Sequence, residues 1–193
     1  MSASAKSLVM LCFRDPAEAA RQVLDLGLPM GIALQIGIAA ALIEAVTVAV
    51  LLEFSGGVSP EIMSATPQPF ALAAIQIGVM VGSIIATWLV GRALGGTGDL
   101  LGSATIVTAV YALYVLGRVA GVFVSALIPP LSVLLVLGVV LWIVWVFAHG
   151  VRVLHGFHST GLVVLGIVLS ASALLVALSL VLVMLGFGQT GSA

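Results

Sequence analysis

Two ionisable residues, Glu44 and Arg118, lie inside stretches of the sequence that are otherwise apolar enough to cross a membrane. A charge at membrane depth is expensive, so each side chain should face the interior of a helix bundle and have a partner there. At 1.5 Å per residue, Glu44 lies roughly 12 Å and Arg118 roughly 13 Å from the outer ends of their spans. The matching depth predicts that the two side chains pair.

Two further polar residues are predicted to join this pair. Gln76 lies roughly 10 Å from the outer end of the second span, and Tyr114 lies about one helical turn from Arg118. The sequence therefore predicts an intramembrane polar cluster of Glu44, Arg118, Gln76 and Tyr114. Such a cluster has two interpretations: a neutralised pair that holds a helix bundle together, or a polar site at which a solute binds or crosses.

The composition of the chain indicates a membrane protein, so these residues lie within membrane-spanning helices. Of its 193 residues, 62% are apolar and only 7% are charged, whereas a soluble domain has roughly a quarter of its residues charged. Long apolar runs in lipid must be helical, because lipid offers the backbone no hydrogen-bond partner. We predict an all-α membrane protein with a bundle of five transmembrane helices, at about 28–52, 69–91, 104–127, 131–149 and 161–186.

The residues before the first span predict a short amphipathic helix at the membrane surface. In "RDPAEAARQVLDLGLP", Asp15 is placed as the N-cap, with Pro16 at the first helical position and Glu18 two residues later. Gly27 is placed to end the helix. A helix packed on the side of the bundle is the alternative.

Lysine and arginine outside the spans predict the orientation. They lie before span one, after span two and after span four, at Lys6, Arg14, Arg21, Arg92 and Arg152. The positive-inside rule therefore places the N-terminus in the cytoplasm and the C-terminus outside. We expect a cytoplasmic interfacial helix within 1–27, a five-span domain over 28–187 and a short external tail over 188–193. The expected location is the inner membrane of a bacterium.

A glycine-rich stretch, "GRALGGTGDLLGS", follows the second span and contains Gly91, Gly95, Gly96 and Gly98. It resembles a phosphate loop only superficially, because it lacks the Gly-Lys-Ser/Thr of a Walker A loop and the strand that precedes a dinucleotide site. We interpret it as a tight turn at the cytoplasmic interface, in which Asp99 is solvated or caps span three.

Two pairs of glycines are spaced for helix packing. Gly78 and Gly82 in span two, and Gly117 and Gly121 in span three, form small-xxx-small motifs. Such motifs allow helices to approach closely, either within the bundle or between subunits.

Three histidines, His149, His155 and His158, lie at the predicted cytoplasmic interface. The i,i+3 spacing of His155 and His158 is compatible with a metal. However, Gly156 falls between them and no cysteine or carboxylate lies close in sequence, so we predict no metal and no other cofactor.

The sequence shows no pattern of residues that would catalyse a reaction or bind nucleic acid. It contains no assembled nucleophile–base pair, carboxylate dyad or HExxH motif, so no enzyme is predicted. It also lacks a basic run interleaved with aromatic residues. The expected partners are membrane lipids, together with other membrane proteins or a second copy of the chain.

The assembled pattern resembles the Yip1-domain family, in particular its bacterial members. The resemblance is carried by "FRDPAEAARQVLDLGLP", "GRALGGTGDLLGS" and "HGVRVLHGFHSTGLVVLGI", which with the five spans cover most of the chain. It implies a five-span membrane protein with its N-terminus inside. Eukaryotic members of similar layout act in vesicle trafficking and bind small prenylated GTPases and one another. The signature motif of those members is absent here, and the resemblance implies no catalytic or ligand residues.

Two functions fit these observations. The first is a non-enzymatic membrane scaffold or adaptor that organises or accompanies membrane components through helix–helix and lipid contacts. The alternative is a small-solute or ion transporter or channel that uses the cluster of Glu44, Arg118 and Gln76. The two functions differ in hydration, because transport requires water to reach polar residues at mid-membrane depth.

Overall fold

The computed structural model describes residues 5–54, 69–128 and 131–184. In these residues the secondary structure is helical, without strands. The helices are α1 (Ala5–Arg14), α2 (Pro16–Asp25), α3 (Met30–Phe54), α4 (Pro69–Ala93), α5 (Leu100–Leu127), α6 (Ser132–His155) and α7 (Thr160–Met184). Three predicted external segments lie outside the described residues: most of the loop between the first two spans (55–68), the turn at Pro129 and Pro130, and the tail over 188–193.

The five predicted spans are confirmed as helices α3 to α7. Each is long and apolar enough to cross a membrane, with a mean hydropathy of 1.8 to 2.6 in its span. At most 28% of any span's apolar window is buried inside the chain, which leaves most of their apolar surface for lipid. The predicted orientation relative to a membrane stays a prediction.

Two of these helices extend four or more residues beyond their predicted bounds, because capping residues set their ends. α5 begins at Leu100 rather than at 104, since the Asp99 carboxylate accepts a hydrogen bond from the Gly102 amide at 2.8 Å. α6 continues through polar residues to His155, where Gly156 takes a left-handed conformation with φ 69°. A glycine at this position is a common helix terminator.

Helix α5 is the centre of the bundle, in contact with α2, α3, α4 and α6. Its residues 102–108 are buried on every side. Three hydroxyls in this stretch donate hydrogen bonds to carbonyls one turn earlier, at 2.7 to 2.9 Å: those of Ser103, Thr105 and Thr108. Polar side chains are thus satisfied within their own helix. Helix α7 packs against α4 and α6 and is the most peripheral span.

The N-terminal segment contains two helices where the sequence predicted one. α2 begins as predicted, with the Asp15 carboxylate accepting from the Glu18 amide at 2.9 Å. α1 precedes it and was missed, because ten residues without a capping signal do not specify a helix without tertiary contacts. Those contacts exist: Phe13 stacks on Trp142 of α6 with ring centroids 4.2 Å apart.

Helix α2 lies along α5 and α6 and buries its alanine-rich face there. This geometry is that of the alternative, a helix packed on the side of the bundle. Its exposed face carries Glu18 and Arg21, whose side chains pair at 2.8 Å. Hydrogen bonds from Arg21 and Gln22 hold the pKa of the Glu18 carboxyl below its usual range. The position of α2 relative to a membrane surface stays a prediction.

Candidate functional site

Helices α3 and α5 bring the two intramembrane charges into contact. The Arg118 Nε donates a hydrogen bond to the Glu44 carboxylate oxygen Oε1 at 3.2 Å. The Glu44 side chain is 2% exposed and that of Arg118 is 22% exposed. Small buried residues surround Glu44 on its own helix, namely Ala40, Ala41 and Ala45, and they let the neighbouring helix approach closely. The carboxylate is therefore almost fully removed from the bundle surface, whereas the guanidinium reaches its edge.

The second oxygen of Glu44, Oε2, is also enclosed. It has no partner within hydrogen-bond geometry among the described residues. The Tyr114 hydroxyl lies beside the carboxylate as a potential donor. The structure thus brings Glu44, Arg118 and Tyr114 together around one buried carboxylate.

Gln76 is connected to this group through Tyr111, which shares a helix face with Arg118 in the sequence but was not included in the predicted cluster. The Tyr111 hydroxyl donates to the Gln76 side-chain oxygen at 3.0 Å, and the Tyr111 and Tyr114 rings stack with centroids 6.1 Å apart. Gln76 is therefore bound by a tyrosine rather than by the ion pair. Tyr111 lies on the same face of α5 as Tyr114 and Arg118, since residues three, four and seven apart share a face, and that spacing was the available signal.

A second buried polar site lies at the other end of the bundle, where the glycine-rich loop surrounds His155. His155 is 2% exposed. A Cβ atom added at Gly96 or Gly98 would lie 2.6 or 2.7 Å from the His155 side chain, and one added at Gly91 would overlap its ring. Only glycine permits this approach. We call His155 with Gly91, Gly96 and Gly98 the His155–glycine latch.

The backbone amides of the glycine-rich loop donate hydrogen bonds to other groups of the protein. The amides of four successive residues donate as follows: Gly95 to the Arg92 carbonyl (3.0 Å), Gly96 to the Gly91 carbonyl (2.8 Å), Thr97 to the His155 carbonyl (3.2 Å) and Gly98 to the His155 Nδ1 (3.2 Å). A phosphate loop must instead point free amides at its ligand. The geometry therefore opposes a nucleotide site and agrees with a tight turn, in which Asp99 caps α5.

The ring of His155 is held in one tautomer. Because Nδ1 accepts from Gly98, the proton of the neutral ring is on Nε2. Nε2 is enclosed without a partner in hydrogen-bond geometry among the described residues. The Phe157 ring stacks on the His155 ring with centroids 5.5 Å apart. His155 is thus a packed structural residue with no open nitrogen for a metal.

The other two histidines lie apart from His155. The His149 ring nitrogen Nδ1 is 2.8 Å from the Trp145 carbonyl oxygen. His158 is exposed and lies beyond the end of α6, so the i,i+3 spacing of His155 and His158 does not put them on one helix. Within the described ranges, histidine, cysteine and carboxylate side chains form no group of three that could hold a metal ion.

Three of the four helix-packing glycines face another helix. A Cβ atom added at Gly82 would lie 2.8 Å from Leu174, at Gly117 3.0 Å from Val139, and at Gly121 3.0 Å from Leu135. At Gly78 it would meet nothing within 4 Å. A packing role for Gly78 therefore requires a contact outside the described part of the chain.

Comparison with known proteins agrees with this architecture. A family model described as the Yip1 domain matches residues 10–186, which is most of the chain. The curated proteins and the solved structures each gave no match.

Proposed function

This chain belongs to the Yip1-domain family and is a multi-pass membrane protein, and from this premise we propose that it is a non-enzymatic scaffold or adaptor. In this proposal it organises or accompanies other membrane components through helix–helix and lipid contacts. We propose a bacterial inner membrane as its location, because the sequence motifs resemble bacterial members of the family, and a cytoplasmic N-terminus because of the distribution of lysine and arginine.

One observation carries the proposal: several polar side chains near mid-membrane depth bind one another or their own helices, although the Glu44 Oε2 has no partner in hydrogen-bond geometry among the described residues. Glu44 pairs with Arg118, and Gln76 with Tyr111. The Ser83 hydroxyl, on the same helix as Gln76, donates to the Val79 carbonyl at 2.8 Å. A transport path instead needs polar groups that exchange their partners for water or solute. The surface left for other molecules is apolar, as contacts with lipid and with membrane helices require.

The arrangement of reactive groups supports a non-enzymatic role. The Cys12 thiol is buried in α1 against Ala19 and Val146, and this burial raises the pKa of the thiol. A raised pKa leaves less thiolate at neutral pH and makes Cys12 a poor nucleophile. The His155 ring, the most buried base, is enclosed by the latch.

Cysteines introduced into the polar cluster are expected to be inert to charged thiol reagents. In a Cys12→Ala background, Gln76→Cys and Tyr114→Cys should stay unlabelled in nanodiscs, because water does not reach these positions and thiolate does not form there. Lys6→Cys, at an exposed position, is the matched control and should label fully. Mass spectrometry measures the extent of labelling. Labelling of either cluster position at the rate of Lys6→Cys would support the transport alternative.

Extraction directly into lipid nanodiscs tests the proposed function itself. We expect the tagged chain to bring a membrane protein with it in stoichiometric amount, identified by mass spectrometry. Cells that carry the untagged chain provide the control for non-specific capture. A monodisperse particle that contains this chain and no protein partner contradicts the scaffold or adaptor role.

A further inference from the structure

A groove of about 320 Å³ opens on the side of the bundle where α7 stands against α4 and α6. Its walls are almost entirely apolar, from residues such as Val90, Phe147, Val163 and Leu174. The hydroxyl of Ser170 in its wall donates to the Gly166 carbonyl at 2.6 Å, and that of Ser83 is bound in the same way. The walls thus present few polar groups in need of a partner, and the groove suits an apolar occupant.

The groove is long enough to cross one leaflet of a bilayer and extends beyond it. Val79 and Leu94 mark its two ends on α4 and lie about 22 Å apart along the helix at 1.5 Å per residue. One leaflet contributes about 15 Å of hydrocarbon. The groove begins at the end of the bundle that carries Arg92 and Arg152 and runs past the middle of the spans. A groove of this shape that opens sideways into a bilayer suits an acyl chain.

The mouth of the groove, at Val151, Phe157 and Val163, lies beside the side chain of Arg152, which does not itself line the groove. Arg152 donates from Nη1 to the Thr160 hydroxyl at 3.2 Å, so its guanidinium lies at the start of α7, which forms one wall. The first turn of α7 adds the positive end of a helix dipole, and exposed His158 lies just before it. The groove-lining residues that the structure describes include no acid.

Charge at the mouth decides which lipid the groove prefers. Lipid tails are as apolar as the groove, so burial of a chain alone favours no lipid over another. An arginine beside a helix N-terminus favours a negative headgroup, and a phosphate oxygen can replace the Thr160 hydroxyl as the acceptor for Arg152.

We propose that this groove is a binding site for an anionic phospholipid, with one acyl chain along α4 and α7 and its phosphate at Arg152 and the start of α7. The proposal rests on the lipid contacts of the proposed function and specifies their chemistry. It assigns the site to a lipid of the leaflet on the arginine-bearing side of the membrane.

Filling the groove is expected to abolish lipid retention. Ser170→Leu places a larger apolar side chain in the groove, whereas Ser172→Leu makes the same change two residues away. Both serines donate to the carbonyl four residues earlier, but Ser172 does not line the groove. The protein in mild detergent is incubated with equal amounts of phosphatidylglycerol and phosphatidylcholine, and native mass spectrometry counts the retained lipids. Wild type and Ser172→Leu should retain phosphatidylglycerol, and Ser170→Leu should lose it.

Neutralising the mouth is expected to remove the preference for a negative headgroup. Arg152→Gln should reduce the ratio of retained phosphatidylglycerol to phosphatidylcholine by about fivefold, the effect of one basic residue near an anionic lipid. Arg92→Gln is the matched control, because Arg92 lies at the same end of α4 but about half a turn from the groove-lining residues. An equal loss in both variants would assign the preference to net charge and overturn the site.

Two other outcomes overturn the proposal. One is retention of phosphatidylglycerol by Ser170→Leu at the wild-type level. The other is a change of oligomeric mass in Ser170→Leu without a change in retained lipid, which would assign the groove to a second copy of the chain. The lipid site and the proposed function fail separately: a protein partner without lipid selectivity refutes only the site, and lipid selectivity without a protein partner refutes only the scaffold or adaptor role.

Discussion

Replacing Arg118 with methionine is expected to lower the free energy of unfolding by about 3–5 kcal/mol, the usual loss when one partner of a buried ion pair is removed. The reason is the position of Glu44, whose side chain is 2% exposed. Without the guanidinium, its carboxylate must stay charged without a partner or take up a proton. Titration with SDS in mixed micelles measures the change in the free energy of unfolding.

Replacing Glu44 and replacing Arg118 should lower the free energy of unfolding by different amounts. Glu44→Gln should destabilise less than Arg118→Met, because Arg118 is 22% exposed and its long side chain can reach towards the membrane surface. The double variant should recover much of the loss, since it removes both charges together. Arg14→Met, at an exposed position in α1, is the control and should change stability by less than about 0.5 kcal/mol. Additive losses in the double variant would contradict a direct pairing.

The same double variant separates a structural role from a functional one. If the ion pair only holds α3 against α5, a stable double variant should still bring its protein partner into nanodiscs. If the double variant is stable but loses the partner, the pair takes part in recognition. Stability and partner retention must therefore be measured on one preparation.

Depth along a span, and the burial of a charged face, could be predicted from the sequence, but the neighbour that each polar side chain contacts could not. The depths of Glu44 and Arg118 follow from counting residues inward from the span ends, and the structure brings these two residues into contact. Gln76 has a similar depth, yet it binds Tyr111. The neighbour that each helix face contacts is set by packing against several helices at once, and one sequence does not contain that information.

The His155–glycine latch is a second feature whose contacts could not be predicted from the sequence. Gly98 and His155 are 57 residues apart in the chain, and their hydrogen bond joins two connections at one end of the bundle. The glycines were visible in "GGTG" and the histidine in "LHGF", but the fourth span was predicted to end at 149, before His155. The pairing of these stretches was not predictable, because glycine permits many backbone conformations and only the assembled helices select one.

Replacing Gly91 with alanine should test how closely this latch is packed. The added methyl group would overlap the His155 ring, and that ring is also confined by Gly96, Gly98 and Phe157. Overpacking of this kind costs about 1–3 kcal/mol, which should outweigh the gain of about 1 kcal/mol from alanine's better helix propensity. Gly78→Ala on the same helix is the matched control. It meets nothing within 4 Å and should be neutral or stabilising in the SDS titration.

Removing the His155 side chain should relieve the effect of Gly91→Ala. His155→Ala alone is expected to destabilise, because it leaves a cavity and an unpaired Gly98 amide. In the double variant the new methyl group occupies part of that cavity, so the two losses should not add, with a coupling of about 0.5–3 kcal/mol. Additive losses would show that Gly91 and His155 do not constrain each other.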